Sequence, residues 1–353
     1  MKKILFVVEA MGGGVFSYLV DLANEMVKTH DMYIAYSVRP QTPKDYKKYF
    51  DEKIHLVEVK NFTRSINPLK DLRAIPEVKK IAEKISPDII HLHSSKAGVI
   101  GRIAFNGDVP LFYTPHGYSF LMENYKSMKR RMFRIIEIMM AKRNCTTISC
   151  SYGEHQETLK LTKRSAYVYN GINTDKLGMM LHKVEIVDHP FTVFTLGRIC
   201  YQKNPTLFNT IAELMPDTRF LWIGDGELRK ELRSNNIEIT GWVDREKALQ
   251  LSMNADVFLL TSLWEGMPIS LLEAMFMKKL CVVNDVIGNH DVIENGRNGF
   301  VCRTVEEFIT AIKTNGDSLI DKAYGDIRTK YNIVVMAKKY TEIYERKNKE
   351  LRK

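Results

Sequence analysis

Two glutamates interrupt an otherwise nearly apolar stretch of the sequence, the run SLWEGMPISLLEAMFM at residues 262–277. Seven residues separate Glu265 from Glu273. Pro268 suits the first position of a helix, which we predict over 268–277, so Glu265 is expected in the loop before that helix and Glu273 inside it. A carboxylate that is buried without a partner is costly, so each of these side chains needs a cation or hydrogen-bond donors. Phe276 and Met277 stand three and four positions after Glu273, so no cation of its own helix neutralises it. We expect its partner to come from elsewhere: the hydroxyls of a bound ribose, or backbone N–H groups of a neighbouring loop.

Two cations follow the apolar run FTVFTLG, which reads as a buried strand. Arg198 and Lys203 lie in the segment GRICYQKNP directly after it. The planar fork of an arginine and the point charge of a lysine can together clamp a diphosphate at such a turn. An ordinary solvated loop with two cations is the alternative.

A glycine-rich turn follows the first predicted strand, KKILFVVEA. Gly12, Gly13 and Gly14 precede a helix, so a ligand could approach the backbone there and an anion could meet the helix N-terminus. The pattern reads G-x-G-x-x-S, and the second strand ends without an acidic residue for a ribose, so it is a weak dinucleotide signature. A tight turn without a ligand is the alternative.

Three histidines stand at the ends of predicted strands. His116 lies between Pro115 and Gly117 after the strand VPLFYTPHG, where a fixed, exposed backbone can meet a ligand. His91 and His93 form H-x-H on one face of another strand, but two histidines alone rarely hold a metal. We interpret this pair as packing or strand-end residues.

Short β-branched runs alternate with helical patterns along the chain, which is typical of βαβ units and parallel sheets. The pattern predicts an α/β protein with two Rossmann-like, doubly wound domains, over residues 1–169 and 170–333. Ligands bind beyond the carboxyl ends of such strands, so two sheets facing each other would form a central cleft. The second series includes a charged helix predicted over 227–234. A final helix within 334–353 packs either on the second domain or back on the first.

The composition is that of a globular protein of 353 residues with a formal charge of +10, which favours anionic partners. Five cysteines without a C-x-x-C pair argue against a disulfide framework and against a zinc site. No run approaches the roughly 18 apolar residues of a membrane span. Because Glu9 and the glycines break the first apolar run, a signal peptide is not indicated, and we expect a cytoplasmic protein.

Several short motifs, taken in their order and spacing, carry a family resemblance. They are G-G-G at 12–14, T-P-H-G at 114–117, N-G-I-N at 170–173, G-R-x4-K at 197–203, G-D-G at 224–226, E-x7-E at 265–273 and E-N-G-R-N-G-F at 294–300. Over nearly its whole length the chain resembles the retaining glycosyltransferases of the GT-B fold, family 4. That family includes bacterial capsule and lipid-linked oligosaccharide enzymes.

The resemblance implies transfer of a hexosyl or N-acetylhexosaminyl group from a nucleotide-diphosphate sugar, expected to be a UDP-sugar, to a glycan or polyprenyl-diphosphate-linked acceptor. Arg198 and Lys203 would bind the diphosphate and Glu273 the ribose. His116 and Glu265 would be catalytic and flank the donor sugar. The sequence contains no D-x-D, so no metal or other cofactor is expected. The other implied donor-binding residues are Gly13, Gly14, Gly241, Val243, Gly266, Met267, Pro268 and Ile269.

A basic, methionine-rich segment at 126–144 is predicted to form a helix. One interpretation is docking on the anionic inner face of the cell membrane, where a lipid-linked acceptor would be found. The alternative is a sheet-covering helix with a solvated basic edge. The predicted apolar face contains Met128, Met132, Ile135, Ile136, Met139 and Met140, and the cations around it are Lys129, Arg130, Arg131 and Arg134.

Two other functions share some of these features. A nucleotide-sugar epimerase of GT-B architecture would keep the fold, but the E-x7-E with G-R-x4-K favours transfer, and an epimerase needs no acceptor. A basic nucleic-acid-binding protein would explain the charge. However, the cations are scattered along both halves and no recognition module is present, so we expect no nucleic-acid partner.

Overall fold

The structure is a computed structural model in which residues 1–9, 11–39, 42–63, 67–105 and 109–351 are described. The chain divides into two compact units. Unit 1 comprises Met1–Leu121, Tyr125–Asn170 and Ile333–Lys353, whereas unit 2 comprises Met122–Asn124 and Gly171–Asn332. The main division follows Asn170, next to the predicted domain boundary.

Unit 1 is built on a seven-stranded parallel sheet. Its strands are β1 (Lys3–Val8), β2 (Asp31–Tyr36), β3 (His55–Glu58), β4 (Ile89–His93), β5 (Leu111–Thr114), β6 (Thr146–Ser149) and β7 (Ser165–Tyr167). They lie in the order β3-β2-β1-β4-β5-β6-β7. The central strands are buried on both faces, which explains why their sequences are continuous apolar runs instead of alternating ones.

Helices cover both faces of this sheet. Those in the first part of the chain are α1 (Gly13–Met26), α2 (Pro68–Ile85), α3 (Ser95–Ala104), α4 (Ser127–Ala141) and α5 (Tyr152–Leu159). Alternate residues of β1 serve the two sides: Phe6 packs in the core that contains α1, and Leu5 in the core that contains α2 and α3. The period of two along a strand therefore divides unit 1 into two apolar layers.

Unit 2 is a second parallel sheet, of six strands. Its strands are β8 (Thr192–Leu196), β9 (Arg219–Ile223), β10 (Ile237–Ile239), β11 (Val257–Leu260), β12 (Leu280–Asn284) and β13 (Phe300–Cys302), in the order β10-β9-β8-β11-β12-β13. Its helices are α6 (Thr174–Leu181), α7 (Pro205–Glu213), α8 (Arg245–Met253), α9 (Ile269–Phe276), α10 (Val305–Ile312) and α11 (Asp317–Thr329). The predicted α/β class, with two Rossmann-like parallel sheets, is confirmed.

The prediction of a helix over 227–234 is wrong. Only a short 3-10 turn, Arg229–Glu231, forms there. The backbone N–H groups of Arg233 and Ser234 donate to the Oδ1 atom of Asn209, at 2.6 and 2.9 Å, so they do not continue a helical ladder. A side chain distant in sequence thus overrides the local helix preference.

The last helix, α12 (Ile333–Leu351), belongs to unit 1. Its Ile333, Met336, Ala337, Tyr340 and Tyr344 lie in the same apolar core as α1. The Tyr18 hydroxyl of α1 donates to the Tyr340 hydroxyl at 2.6 Å. Of the two positions that the sequence left open, the final helix occupies the one on the unit formed by the first half of the chain.

Helix α4 turns its predicted apolar face outward. Met128, Met132, Ile135, Ile138 and Met139 are exposed, Met128 by 83%. Its one buried residue is Glu137, and the Ile136 and Met140 predicted for the apolar face are partly buried instead. The Glu137 carboxylate accepts from Arg102 Nη2 at 2.8 Å and from the Tyr113 hydroxyl at 3.0 Å. A buried ion pair thus anchors α4 on α3 and β5.

Removing one partner of this pair should destabilise unit 1. Glu137→Ala leaves the fully buried Arg102 without its carboxylate, and we expect a loss of about 3–5 kcal/mol of stability. A melting curve should show a much lower transition temperature. Glu157→Ala removes a carboxylate whose Lys160 partner is exposed and should melt close to the wild type. Equal melting of the two variants would contradict the anchoring role of Glu137.

Candidate functional site

The strand order of unit 2 reverses between β8 and β11, which are hydrogen-bonded neighbours. In open parallel sheets, ligands bind beyond the carboxyl ends of the strands at such a reversal. The segment after β8 carries Arg198 and Lys203, and the segment after β11 carries Glu265. Three of the residues singled out from the sequence therefore lie where this fold places a ligand.

Hydrogen bonds join these two segments. The Gln202 carbonyl accepts from the Leu263 N–H at 2.8 Å, and the Gln202 side-chain amide donates to the Trp264 carbonyl at 2.9 Å. The Thr261 hydroxyl donates to the Lys203 carbonyl at 2.8 Å. The loops therefore hold one another, and the functional side chains project from a fixed backbone.

Lys203 and Glu265 form an ion pair across the reversal. The Lys203 Nζ atom lies 2.7 Å from Glu265 Oε1, and the Gln202 side-chain amide donates to Glu265 Oε2 at 3.2 Å. Both oxygens of this buried carboxylate thus have donors. The loop position predicted for Glu265, after β11 and before α9, is confirmed.

The turn that carries Arg198 is held by the G-D-G segment at 224–226. A Cβ atom at Gly224 would stand 2.2 Å from the Gly197 carbonyl oxygen, and one at Gly226 would stand 2.1 Å from the Ile199 carbonyl oxygen. No side chain fits there, because the two backbones touch. The Arg198 side chain is partly exposed and pairs with Glu227 at 2.9 Å.

Glu273 has a protein cation as its partner. It is 5% exposed on α9, and its Oε1 atom accepts from Arg245 Nη2 of α8 at 2.6 Å. The sequence left the partner of Glu273 open between ribose hydroxyls and backbone N–H groups, and neither alternative included the cation that the structure supplies from 28 residues away in sequence. A ribose-binding role for Glu273 stays a prediction.

The other residues predicted to bind the donor in unit 2 lie at two loops. Pro268 is the N-cap residue of α9 and makes no side-chain capping hydrogen bond. The helix starts at Ile269, one residue later than predicted, and Gly266 and Met267 precede the cap. The first turn of a helix carries N–H groups without intrahelical partners, which suit an anion. Gly241 has a φ of +72° and bridges Gly224, and Val243 follows just before α8.

In unit 1 the strand order reverses between β1 and β4. The predicted Gly13 and Gly14 follow β1, whereas His116 follows β5, the strand beyond β4. Gly13 and Gly14 are exposed and begin α1, and a Cβ atom at either would have no described neighbour within 4 Å. The φ of Gly13 is +59°, a value that glycine adopts readily.

His116 follows β5 in a left-handed turn. His116 and Gly117 have φ values of +55° and +93°. The His116 Nε2 atom lies 3.1 Å from Nδ1 of His93, and the Tyr18 ring packs edge-on against it with 4.5 Å between centroids. The Gly117 N–H donates to the buried Glu154 carboxylate at 2.7 Å.

The three histidines are packed as neutral rings. Burial lowers the pKa of His116 to about 3. Burial, with nearby histidine rings, lowers the pKa of both His91 and His93 well below the ordinary value of 6.5. His91 also hydrogen bonds to the hydroxyls of Tyr344 and Thr114. The interpretation of His91 as a packing residue is confirmed. His93 packs beside the His91 ring and also contacts the His116 ring.

The structure adds residues that the sequence did not single out: Arg245, Gln202, Glu154, Tyr340 and Tyr344. Each meets its partner through a long-range contact, so no local spacing indicates it. Among the described residues, no three His, Cys, Asp or Glu side chains lie close enough to share a metal ion.

Two family models match the chain. The one described as Glycosyltransferase Family 4 matches residues 12–176, and the one described as Glycosyl transferases group 1 matches residues 190–315. The chain is 30% identical over 333 residues to the UDP-Gal:alpha-D-GlcNAc-diphosphoundecaprenol alpha-1,3-galactosyltransferase of Escherichia coli, covering 84% of this chain and 85% of that relative.

Solved structures with low sequence identity share the fold. Sucrose-phosphate synthase from Thermosynechococcus elongatus aligns with a TM-score of 0.81 at 14% identity, covering 98% of this chain and 99% of that one. Anabaena Alr3699/HepE in complex with UDP-glucose aligns with a TM-score of 0.77 at 19% identity, covering 98% and 100%. The two parallel-sheet units and these matches define a glycosyltransferase of the GT-B class. The chain belongs to glycosyltransferase family 4.

The packing of His116 makes a spectroscopic prediction. Because its pKa is lowered to about 3 by burial, its ring should show no titration between pH 5 and pH 8 in an NMR experiment, with the signal assigned by comparison with His116→Asn. The unfolded ring takes up a proton near pH 6.5, so this histidine contributes stability above that pH that is lost as the pH falls toward 3. A ring that titrates near pH 6.5 would contradict the packing described.

Proposed function

We propose that the protein transfers a hexosyl or N-acetylhexosaminyl group from a UDP-sugar to a polyprenyl-diphosphate-linked acceptor, in bacterial surface polysaccharide synthesis, with retention of anomeric configuration. The observation that carries the proposal is the group of cations and carboxylates at the strand-order reversal of unit 2. The named activity of the Escherichia coli relative supports this donor and acceptor class. A cytoplasmic location, at the inner face of the cell membrane, is part of the proposal.

The donor diphosphate would lie at the carboxyl end of β8. Arg198 and Lys203 would bind it, with the N–H groups at the start of α9. Both cations already pair with carboxylates, Glu227 and Glu265, so the diphosphate would share them. The partly exposed pair of Arg198 with Glu227 is the more readily exchanged, because its attraction is screened by water.

The nucleoside would extend toward α8. Glu273 would accept hydrogen bonds from the ribose hydroxyls beside its ion pair with Arg245. The backbone at Gly241 and Val243 would contact the base. Trp242 between them is 66% exposed, which leaves this loop open to solvent.

The chemistry requires that the negative charge growing on the leaving UDP be stabilised. Fixed cations and helix N-terminal N–H groups do this without reorganising during the reaction. Glu265 and His116 would flank the donor sugar, with His116 acting as a neutral ring because of its lowered pKa. We propose that the protein cations take the role that a divalent ion has in metal-dependent transferases, so that no metal is needed.

Nucleotide binding tests the donor site. In calorimetric titrations with EDTA, UDP should bind more tightly than GDP, ADP or dTDP. Glu273→Ala should weaken UDP binding about ten- to a hundredfold, because hydrogen bonds to a charged group are lost. The exposed neighbour of Arg245, Glu246, provides the control variant Glu246→Ala, which should bind as the wild type does. Equal binding by Glu273→Ala, or no nucleotide binding at all, would overturn the donor site, and binding only with added Mg²⁺ would overturn metal independence.

Helix α4 fits the surface of an anionic membrane. Its exposed face combines apolar side chains with Arg131 and Arg134, and its only acid, Glu137, is buried and paired. Lys129 and Arg130 contribute less than predicted, because Lys129 lies over the Tyr125 ring and Arg130 donates to the Phe120 carbonyl at 3.0 Å. None of the helices in the described ranges has the length and apolar content needed to cross a membrane. We propose that α4 lies on the membrane surface.

Vesicle binding tests this surface. The wild type should sediment with phosphatidylglycerol vesicles and not with phosphatidylcholine vesicles. Replacing both Arg131 and Arg134 by serine should weaken binding about tenfold or more, since each cation near an anionic surface contributes about 1 kcal/mol. Lys79 and Lys80 are exposed on α2, and their double serine variant removes the same charge elsewhere. Equal losses in both double variants would indicate a general charge effect and refute docking through α4.

A further inference from the structure

The turn at His116 and Gly117 needs support from its surroundings. Both residues have positive φ values, and for a histidine the left-handed region costs about 1 kcal/mol or more. Such a conformation persists only where neighbouring groups hold it. Two buried polar side chains contact this turn: one contacts its backbone, and the other contacts the His116 ring.

Glu154 holds the backbone. It lies in the first turn of α5, is 1% exposed, and accepts from the Gly117 N–H through Oε1 at 2.7 Å. Its Oε2 atom accepts from the Cys150 N–H at 2.8 Å. One carboxylate thus connects the segment after β5 to the segment after β6. The Ser151 side chain caps α5 by accepting from the Glu154 N–H, which fixes the position of the glutamate in turn.

His93 holds the ring. It is the last residue of β4 and fully buried, and its Nδ1 atom lies 3.1 Å from His116 Nε2 with the two rings stacked. Its other nitrogen, Nε2, has no hydrogen-bond partner among the described residues. A buried polar atom left without a partner is costly, so the histidine is poorly explained as a packing residue alone. Its one described hydrogen bond is the one that orients His116.

We propose that Glu154 and His93 are positioning residues for His116 in sugar transfer: Glu154 fixes the backbone of the turn and His93 the orientation of the ring. The inference rests on the proposed function, in which His116 lies beside the donor sugar. Positioning of a group at a reacting centre is sensitive to shifts of about 1 Å, which can cost about a hundredfold in rate. Neither residue needs to touch the substrate.

A carboxylate at position 154 has a specific advantage over an amide. Both of its oxygens accept, and both meet backbone N–H donors. In Glu154→Gln, one oxygen becomes an NH₂ group and faces an N–H, so one of the two connections is lost while the size is kept. Loss of either one breaks the link between the segments after β5 and β6, so the turn is held less firmly and His116 should shift.

The first experiment compares Glu154→Gln with Glu157→Gln, a control on the same helix whose partner Lys160 is exposed. UDP release is measured for UDP-galactose, UDP-glucose, UDP-GlcNAc and UDP-GalNAc, with the acceptor named for the Escherichia coli relative. For the sugar that the wild type uses fastest, Glu154→Gln should lower kcat about ten- to a hundredfold. Its KM for the donor and its affinity for UDP should stay within about twofold of the wild type, because the nucleotide site is in unit 2. The control should match the wild type in all three.

A double-mutant cycle separates positioning from a general structural role. In a His116→Ala background, Glu154→Gln should cause little further loss of kcat, because the residue it acts through is gone. If the fold-losses of kcat in the two single variants multiply in the double variant, the proposal for Glu154 is overturned. An unchanged kcat in Glu154→Gln alone would overturn it as well.

Hydrogen exchange tests the turn without relying on turnover. In Glu154→Gln, the N–H of either Gly117 or Cys150 should exchange at least about tenfold faster, because the remaining amide oxygen can accept from only one of the two. Unchanged exchange at both of these N–H groups would refute the proposal even if no sugar is transferred. By contrast, exchange could be faster in Glu154→Gln while the wild type neither binds UDP nor releases it from any donor. That result would support the role of Glu154 in holding the turn and would refute the proposed function instead.

His93 offers a matched pair of variants. Asparagine can place a polar atom where His93 Nδ1 lies, whereas leucine fills space without one. His93→Asn should keep most of the wild-type kcat, and His93→Leu should lose about tenfold or more. Equal activity of the two variants would overturn the role of His93, and the melting temperature of each reports whether unit 1 remains folded.

Discussion

A carboxylate taken out of water must be given donors by the protein, and four of the buried glutamates meet this requirement in ways that define the structure. Glu137, Glu265 and Glu273 form ion pairs with Arg102, Lys203 and Arg245, respectively. Glu154 accepts hydrogen bonds from backbone N–H groups. In each case the partner comes from a different element, so satisfying the charge also fixes one element against another. The cost of burying a charge is thereby converted into specificity of packing.

The location of these pairs matters as much as their strength. In unit 2, the ion pair between the segments after β8 and β11 lies at the reversal of strand order, where the sheet leaves an opening. The glycines of the G-D-G segment let a second loop approach so closely that the backbone carrying Arg198 has little freedom. In unit 1, Glu154 has the same effect on the turn after β5. The cations and the histidine that we propose to act on a ligand are therefore presented by segments whose backbones are already ordered.

The sequence predicts those features that depend on neighbours along the chain. Runs of buried residues indicated β1, β4 and β11, and the capping position of Pro268 separated the loop of Glu265 from the helix of Glu273 to within one residue. Partners across the fold were not predictable. Spacings of three and four residues identify partners of Glu273 only within its own helix, α9, whereas Arg245 lies on α8. The helix predicted over 227–234 failed for the same reason, because Asn209 competes for its N–H groups. Helix α4 has an ordinary amphipathic pattern, and only its position on the fold reveals that the apolar side faces out.

The return of α12 to unit 1 has a consequence for how the protein is made. The apolar layer containing α1 is incomplete until Tyr340 and Tyr344 arrive, whereas the main stretch of unit 2, residues 171–332, is continuous and emerges from the ribosome before them. The long segment of unit 2 is thus complete before α12 is made, and unit 1 is completed afterwards, when α12 packs against it. Until α12 is made, the hydroxyl of Tyr18 and the ring of His91 lack their hydrogen-bond partners on that helix, and the apolar surface that α12 covers is exposed to solvent.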